Sequence, residues 1–489
     1  MHELYKEMYR PQFHFSPKKN WMNDPNGMVF FKGEYHLFFQ YHPHGTEWGP
    51  MHWGHAISED LIHWEEMPIA LYPDEHGVIF SGCAVVDWNN TTGFFEDEPG
   101  LVAVYTNTDQ YPDSERSRQR QSLAYSKDQG RSWIKYQGNP VLVDESITDF
   151  RDPKVFWHQE TKKWVMVLAT EQSITLYTSD NLLEWERASE FGATAGSHDG
   201  VWECPDLFPL PLDGDETNQK WVMIVSIGDN PQYKEGSRTQ YFIGEFDGQT
   251  FINNHSDDTI LWLDHGRDNY AGVSWSDIPI QDGRRMYIGW MSNWRYANQV
   301  PTSVWRSSMT IPRELSLKTV HNKVRLMQQP VRELETIKES VTEHKQKVIM
   351  ENDVIKQSIP PLCELHLKMD LEEKAHFELT FHHSREENTT ISYDSNRELL
   401  SLNREESGDS QFSDSFSTIQ SAELQTEEGN LELKILLDRA SVELFANSGE
   451  VTMTSLIFPE ELAQEISLAS KEGKIVVKHF TITELASIW

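Results

Sequence analysis

Ser58-Glu59-Asp60-Leu61-Ile62-His63-Trp64 is a short polar turn that closes on an aromatic ring. The chain repeats it. Ser126-Lys127-Asp128-Gln129-Gly130-Arg131-Ser132-Trp133 is a second copy, Ser179-Asp180-Asn181-Leu182-Leu183-Glu184-Trp185 a third, and Phe246-Asp247-Gly248-Gln249-Thr250-Phe251 a fainter fourth. Each follows a β-branched or aromatic run, such as Trp164-Val165-Met166-Val167-Leu168 or Trp221-Val222-Met223-Ile224-Val225, that reads as a strand. Aligned on Asp60, Asp128, Asp180 and Asp247, the copies lie 68, 52 and 67 residues apart. That spacing suits four-stranded blades and predicts a β-propeller of about four to six blades. The acid caps the turn and the ring packs between blades, so these residues read as structural.

Working outward, Tyr35-His36-Leu37-Phe38-Phe39 and Met286-Tyr287-Ile288-Gly289-Trp290 continue the strand texture. No convincing amphipathic helix precedes about residue 328. Pro330 then opens a helical period with Val331, Leu334, Ile337 and Val341 on one face. Beyond it, Leu431, Leu433, Ile435 and Leu437 alternate as a strand does, and Lys474 to Thr483 do the same. The expected division is a propeller over 1–328, a linker helix over 329–345 and a β-sandwich over 346–489. The fold class is all-β.

The 489-residue length exceeds one compact core, which fits two domains. A net charge of −34 excludes nucleic acid and anionic membranes as partners. Cys83, Cys204 and Cys363 are far apart and form neither a disulfide framework nor a metal-spaced cluster. His42, His44, His52 and His55 lack metal-ligand spacing, so no metal and no cofactor is expected. No apolar run at the start has signal-peptide character. The expected location is cytoplasmic, the alternative being a secreted protein whose leader is absent from this sequence.

Three acid-bearing turns carry the chemistry: Trp21-Met22-Asn23-Asp24-Pro25-Asn26-Gly27, Phe150-Arg151-Asp152-Pro153 and Trp202-Glu203-Cys204-Pro205-Asp206-Leu207-Phe208. Their spacing places Asp24, Asp152 and Glu203 on different blades, and radial geometry brings innermost strands to one funnel. Glycosidic cleavage needs a carboxylic acid to protonate the leaving oxygen and a carboxylate to attack or to activate water. Glu203, between Trp202 and Cys204, is in apolar company and suits the acid. Asp24 suits the nucleophile. Asp152 follows Arg151, whose charge is expected to keep it ionised, which suits a stabilising role.

These three motifs resemble the signatures of the β-fructosidases, glycoside hydrolase family 32, which includes invertases, levanases and exo-inulinases. Further similar stretches are Phe38-Phe39-Gln40-Tyr41-His42-Pro43, Trp48-Gly49-Pro50-Met51-His52-Trp53-Gly54-His55, Phe80-Ser81-Gly82, Trp290-Met291-Ser292-Asn293-Trp294 and Asp438-Arg439-Ala440-Ser441-Val442-Glu443-Leu444-Phe445. The resemblance implies a five-bladed propeller followed by a β-sandwich, and retention through a fructosyl-enzyme intermediate. It implies Asp24 as nucleophile, Asp152 as transition-state stabiliser and Glu203 as acid/base. Asn23, Gln40, Trp48, Phe80, Ser81, Arg151 and Trp294 match the fructose-holding positions. The implied substrates are sucrose, fructo-oligosaccharides and fructans (inulin or levan), attacked from the terminal fructose. Within the family the chain looks most like the levanase and exo-inulinase branch. The alternatives are a fructosyltransferase acting on sucrose, a non-catalytic fructan-binding module, and a glycosidase of another specificity such as an arabinanase. A homodimer through the sandwich is a further possibility.

Overall fold

The structure, a computed structural model, describes residues 4–96 and 98–489. Five four-stranded antiparallel blades follow one another from Asn20 to Pro330, and a parallel bridge from Leu212 to Leu317 joins the last two. Blade I is Asn20–Phe31, Glu34–His42, His52–Ser58 and Glu65–Leu71, and blade II is Val78–Asp87, Gly100–Gln110, Ser117–Ser126 and Ile134–Lys135. Blade III is Phe150–His158, Lys163–Thr170, Ser173–Ser179 and Glu186–Phe191. Blade IV is Trp202–Leu212, Asp215–Ile227, Arg238–Phe246 and Phe251–Asn253. Blade V is Tyr270–Ser274, Arg285–Met291, Arg313–Val320 and Lys323–Pro330. The first strand of each blade touches the first strands of its two neighbours, and blade V meets blade I, so the five form a closed ring around one axis. Radial packing shelters the innermost strand edges at the axis.

The repeated turn joins the third and fourth strands of blades I to IV. In blade I, Asp60 Oδ1 accepts the backbone N–H groups of Ile62 and His63 (3.0 and 2.8 Å), and Ser58 Oγ donates to the same oxygen. Asp128 does this in blade II and Asp247 in blade IV. In blade III the capping residue is Asn181, which takes the N–H groups of Leu183 and Glu184, and not Asp180, which pairs with Lys163. The expected alignment was therefore one residue off there. An Asn carbonyl caps as well as an Asp carboxylate, so identity alone did not separate the two. The closing ring packs across a blade boundary, as Trp133 of blade II does edge-on against Phe38 of blade I.

The linker helix expected over 329–345 is not there. A 3₁₀ turn spans Arg332–Ile337, and Lys338–His344 is a strand paired antiparallel to Ile475–Leu485. Val331, Leu334 and Ile337 are buried, but at a spacing of three, the period of a 3₁₀ turn. Val341 is 62% exposed on the strand. The sandwich pairs a seven-stranded sheet with a six-stranded one. Alternating residues such as Leu365, Leu367, Leu379, Phe381, Leu433 and Ile435 fill the space between them. No helix among the described residues is long and apolar enough to cross a membrane.

Buried charge fixes the sandwich to the propeller. Arg313 of blade V reaches Glu443 (2.6 Å) and Asp264 (3.0 Å). Arg404 of the sandwich pairs with Asp268 (2.6 Å). His14 lies between Asp438 (2.7 Å) and Glu443 (2.8 Å). A charge this buried is tolerated only when each partner is present, so these groups lock the relative position of the domains.

Candidate active site

The same irregularity occurs in all five innermost strands. Between paired residues, two residues of the first strand face one of the second, within Met22 to Pro25, Ile79 to Gly82, Arg151 to Lys154, Glu203 to Asp206 and Tyr270 to Val273. Each is a β-bulge, which bends its strand and re-aims a side chain. The ring of bulges sits where the innermost strands begin, at one mouth of the channel. Asp152, Cys204 and Ala271 occupy the equivalent bulge position in blades III, IV and V, all in the left-handed region (φ 65°, 46° and 54°). Asp152 and Cys204 also precede prolines, which disfavours helical backbone there. Non-glycine residues held in this way carry strain of the kind found at functional sites.

The bulges open into a cavity of about 360 Å³. All ten residues singled out from the sequence line it: Asn23, Asp24, Gln40, Trp48, Phe80, Ser81, Arg151, Asp152, Glu203 and Trp294. Below, the channel is filled. Lys154 lies 3.6 Å from Asp206, whose Oδ2 accepts both the backbone N–H and the hydroxyl of Ser274 (2.7 Å each). Cys83 Sγ accepts the Val155 N–H (3.1 Å). The cavity is thus a dead-ended pocket rather than a pore.

Asp24 is fixed at both oxygens. Asn23 Nδ2 donates to Oδ1 (3.0 Å) and Ser81 Oγ donates to Oδ2 (2.8 Å). Asn23 is itself oriented by the Trp21 indole N–H (2.7 Å), and Trp21 stacks on Trp294. Glu203 is gripped from both sides. Arg151 Nη2 donates to Oε1 (2.8 Å) and the Tyr270 hydroxyl donates to Oε2. Arg151, Glu203 and Tyr270 hold the same position, just ahead of the bulge, in three successive blades. The Cys204 thiol lies 3.7 Å from Asp24 Oδ2 and 3.5 Å from Asp152 Oδ2, and the Cys204 N–H donates to Asp152 (3.0 Å). Burial, then the surrounding carboxylates, push that thiol well above its usual range, so it stays a neutral donor.

Burial raises Asp24 to about 6, and the Glu203 charge adds to the shift against the pull of the Asn23 and Ser81 hydrogen bonds. Burial raises Asp152 further, to about 7, with Glu203 and Asp24 adding to it. The expectation that Arg151 keeps Asp152 ionised is corrected here. Arg151 does pull Asp152 down, but its Nε lies 4.0 Å away, while its short contacts go to Glu203 and Asp149. The apolar company expected for Glu203 is likewise replaced by a cation on one oxygen and a phenol on the other. Burial opposes the Arg151 charge, but the three carboxylates around it hold the guanidinium above its usual range.

Trp48 is 47% exposed at the rim, edge-on to Phe80. Gln40 is buried and donates to Asn26 Oδ1 (2.8 Å). Tyr270 was missed by sequence reasoning, because Asn269-Tyr270-Ala271-Gly272 carries neither an acid nor a proline. The signal that finds it is positional, since a fifth innermost strand must supply a fifth bulge. Asp229, Val201 and Gly228 also line the cavity, and Arg295 pins Asp229 (2.6 Å).

Comparison with known proteins bears on the same geometry. The glycosyl hydrolases family 32 N-terminal domain matches residues 14–330, and the family 32 C-terminal domain matches residues 329–484. The levanase of Bacillus subtilis (strain 168) is 50% identical over 491 residues, covering 99% of this chain and 72% of that protein. The crystal structure of exo-inulinase from Aspergillus awamori superposes with a TM-score of 0.91 at 39% identity, over 99% of this chain and 100% of that one. The β-fructofuranosidase from Schwanniomyces occidentalis, complexed with fructosyl-erythritol, gives a TM-score of 0.89 at 33% identity, over 100% of this chain and 99% of that one.

Proposed function

The chain belongs to glycosyl hydrolase family 32, and on that premise we propose that it is a retaining exo-β-fructosidase. It releases terminal β-D-fructofuranosyl units from sucrose, fructo-oligosaccharides and fructans. The observation that carries the reading is that Asp24, Asp152 and Glu203, from three different blades, share one dead-ended pocket. A closed floor stops a chain from threading through the ring, so a fructosyl unit enters from the mouth alone.

In the first step Glu203 gives its proton to the glycosidic oxygen as the bond from that oxygen to the fructosyl C2 breaks. An Asp24 oxygen forms the new bond to C2. In the second, Glu203 takes a proton from water, the water oxygen attacks C2, and the Asp24 ester bond breaks. Asn23, Ser81 and Cys204 hold the Asp24 carboxylate in one orientation, which lowers the entropic cost of reaching the reactive geometry. Arg151 and Tyr270 do the same for Glu203. In its ionised form, which the positive charge building on the ring favours, Asp152 stabilises each transition state and accepts from sugar hydroxyls. Gln40 and Asn23 supply amide groups for further hydroxyls, and Trp48, Phe80 and Trp294 form the apolar wall. A homodimer is part of this reading, supported by Val341, Val348 and Val354, each at least half exposed on outer strands of the sandwich. Light scattering on the purified protein decides it.

The test of the function is a time-resolved product profile on sucrose, 1-kestose, inulin and levan. Free fructose as the first product from all four, initially as the β-anomer, is expected. Oligosaccharides as first products, chain-lengthened products from sucrose, or an initial α-anomer would each defeat the proposal.

A further inference from the structure

The far end of the propeller carries a second cavity, of about 280 Å³. It lies where the innermost strands of blades II and III finish, at Val86 and Trp157, whereas the catalytic residues lie where those strands begin. From Ser81 to Val86 the strand advances about 17 Å, and the filled channel separates the two cavities. The lining is aromatic with a polar rim. Trp88 is 57% exposed, and Trp157 is half-buried and edge-on to Trp164 at 5.3 Å. The Trp88 indole N–H donates to Asp277 Oδ1 (2.8 Å), and Asp277 Oδ2 takes the Val86 backbone N–H (2.8 Å). Trp88 is therefore fixed in place with its ring facing out, and Asn89 and Gln159 are exposed beside it. A hydrophobic residue of that size, left half in water and held rigid by a half-buried carboxylate, costs little further order when a ligand stacks on it.

We propose that this cavity is a second carbohydrate site, which takes a β-fructofuranosyl unit of a fructan chain remote from the catalytic pocket. The inference rests on the proposed function for its substrate class. Indole faces suit the C–H face of a sugar ring, while the carboxylate and the two amides suit hydroxyls. The net charge of −34 disfavours an anionic occupant. Such a site anchors a polymer whose free end is being trimmed elsewhere, and adds affinity for long chains without touching the chemistry.

The test is native electrophoresis of the full-length Asp24→Asn protein through gels cast with levan or inulin, with and without Trp88→Ala. Removal of the ring is expected to weaken retardation about fivefold. Trp88→Phe should restore most of it, and the exposed pair Asn89→Ala and Gln159→Ala should weaken it without altering the melting temperature. In the otherwise wild-type chain, Trp88→Ala should leave kcat/KM on sucrose within about twofold and raise KM on levan. Equal retardation in all of these variants overturns the proposal. So does binding of tetramethylammonium that Trp88→Ala abolishes while fructan retardation is untouched, because an aromatic cavity with a carboxylate also suits an organic cation. Failure of the proposed function looks different, as the wild-type protein would then not give free β-fructose as its first product from sucrose or levan.

Discussion

Replacing Asp24 by Asn should abolish turnover and stabilise the protein at the same time. The three carboxylates share one pocket with a single guanidinium, and the charge on Asp24 is disfavoured there. Its pKa rises from 3.8 to about 6. At ~1.4 kcal/mol for each pKa unit, the folded state is strained by about 3 kcal/mol once Asp24 ionises. Water entering the open pocket screens part of that, which leaves about 1–2 kcal/mol. The sign follows from linkage. The folded protein holds this proton more tightly than the unfolded chain, so the penalty is absent below pH 3.8, grows between 3.8 and 6, and is complete above 6. Asn keeps an acceptor for Ser81, gives up the bond from Asn23 Nδ2 to water in the open pocket, and has no charge to bury. Asp24→Asn should therefore melt about 1–2 °C above wild type at pH 7, and the gap should close by pH 4. The same variant should lose about 10⁴-fold or more in kcat on sucrose, because the amide cannot form the ester. Differential scanning fluorimetry across pH 4–7 reads the first effect and a fructose assay the second. An unchanged or lowered melting temperature at pH 7, or a gap that does not depend on pH, refutes the reasoning.

Other perturbations follow from the same geometry. Tyr270→Phe deletes the donor on Glu203 Oε2 and should lower kcat about 10- to 100-fold with little change in melting temperature, as steady-state kinetics on sucrose would show. Arg313→Met leaves Asp264 and Glu443 buried without their cation and should cost about 3–5 kcal/mol in urea unfolding. Burial opposes the charge on His14, but its bonds to Asp438 and Glu443 push it up to about 9. Its contribution is complete below pH 6.5 and fades as pH rises through 9, so wild type should lose melting temperature between pH 7 and 9.5. His14→Gln should start lower and stay flat over that range.

Much of this was legible because the turn chemistry repeats. A Ser–Asp cap followed by a ring marks the same connection in successive blades, and propeller closure then requires innermost strands to meet. That is why the acids of Asp24-Pro25, Asp152-Pro153 and Glu203-Cys204 could be brought together without coordinates, and why the family resemblance could add Gln40, Trp48 and Trp294. What the sequence hid is of two kinds. Residues 332–344 carry apolar positions at a spacing that a helix, a 3₁₀ turn and a strand each accommodate over a few residues, and pairing with Ile475–Leu485 decides between them. The partner of Arg151 depends on where a bulge aims a side chain. Adjacency in sequence points to Asp152, whereas the bulge turns the guanidinium across the blade boundary to Glu203. Tyr270 was hidden for the same reason, since it acts from a blade that lacks the signature.

The claim at the centre is that Asp24 bonds directly to fructose while Glu203 manages the proton. Rapid acid quench of the working enzyme with sucrose, followed by peptide mass spectrometry, tests it most directly. One fructosyl unit should be found esterified to the Asn20–Phe31 peptide, at Asp24, and should be absent from Asp24→Asn. An adduct on Asp152 or Glu203, or none at all during turnover that releases inverted fructose, would contradict it.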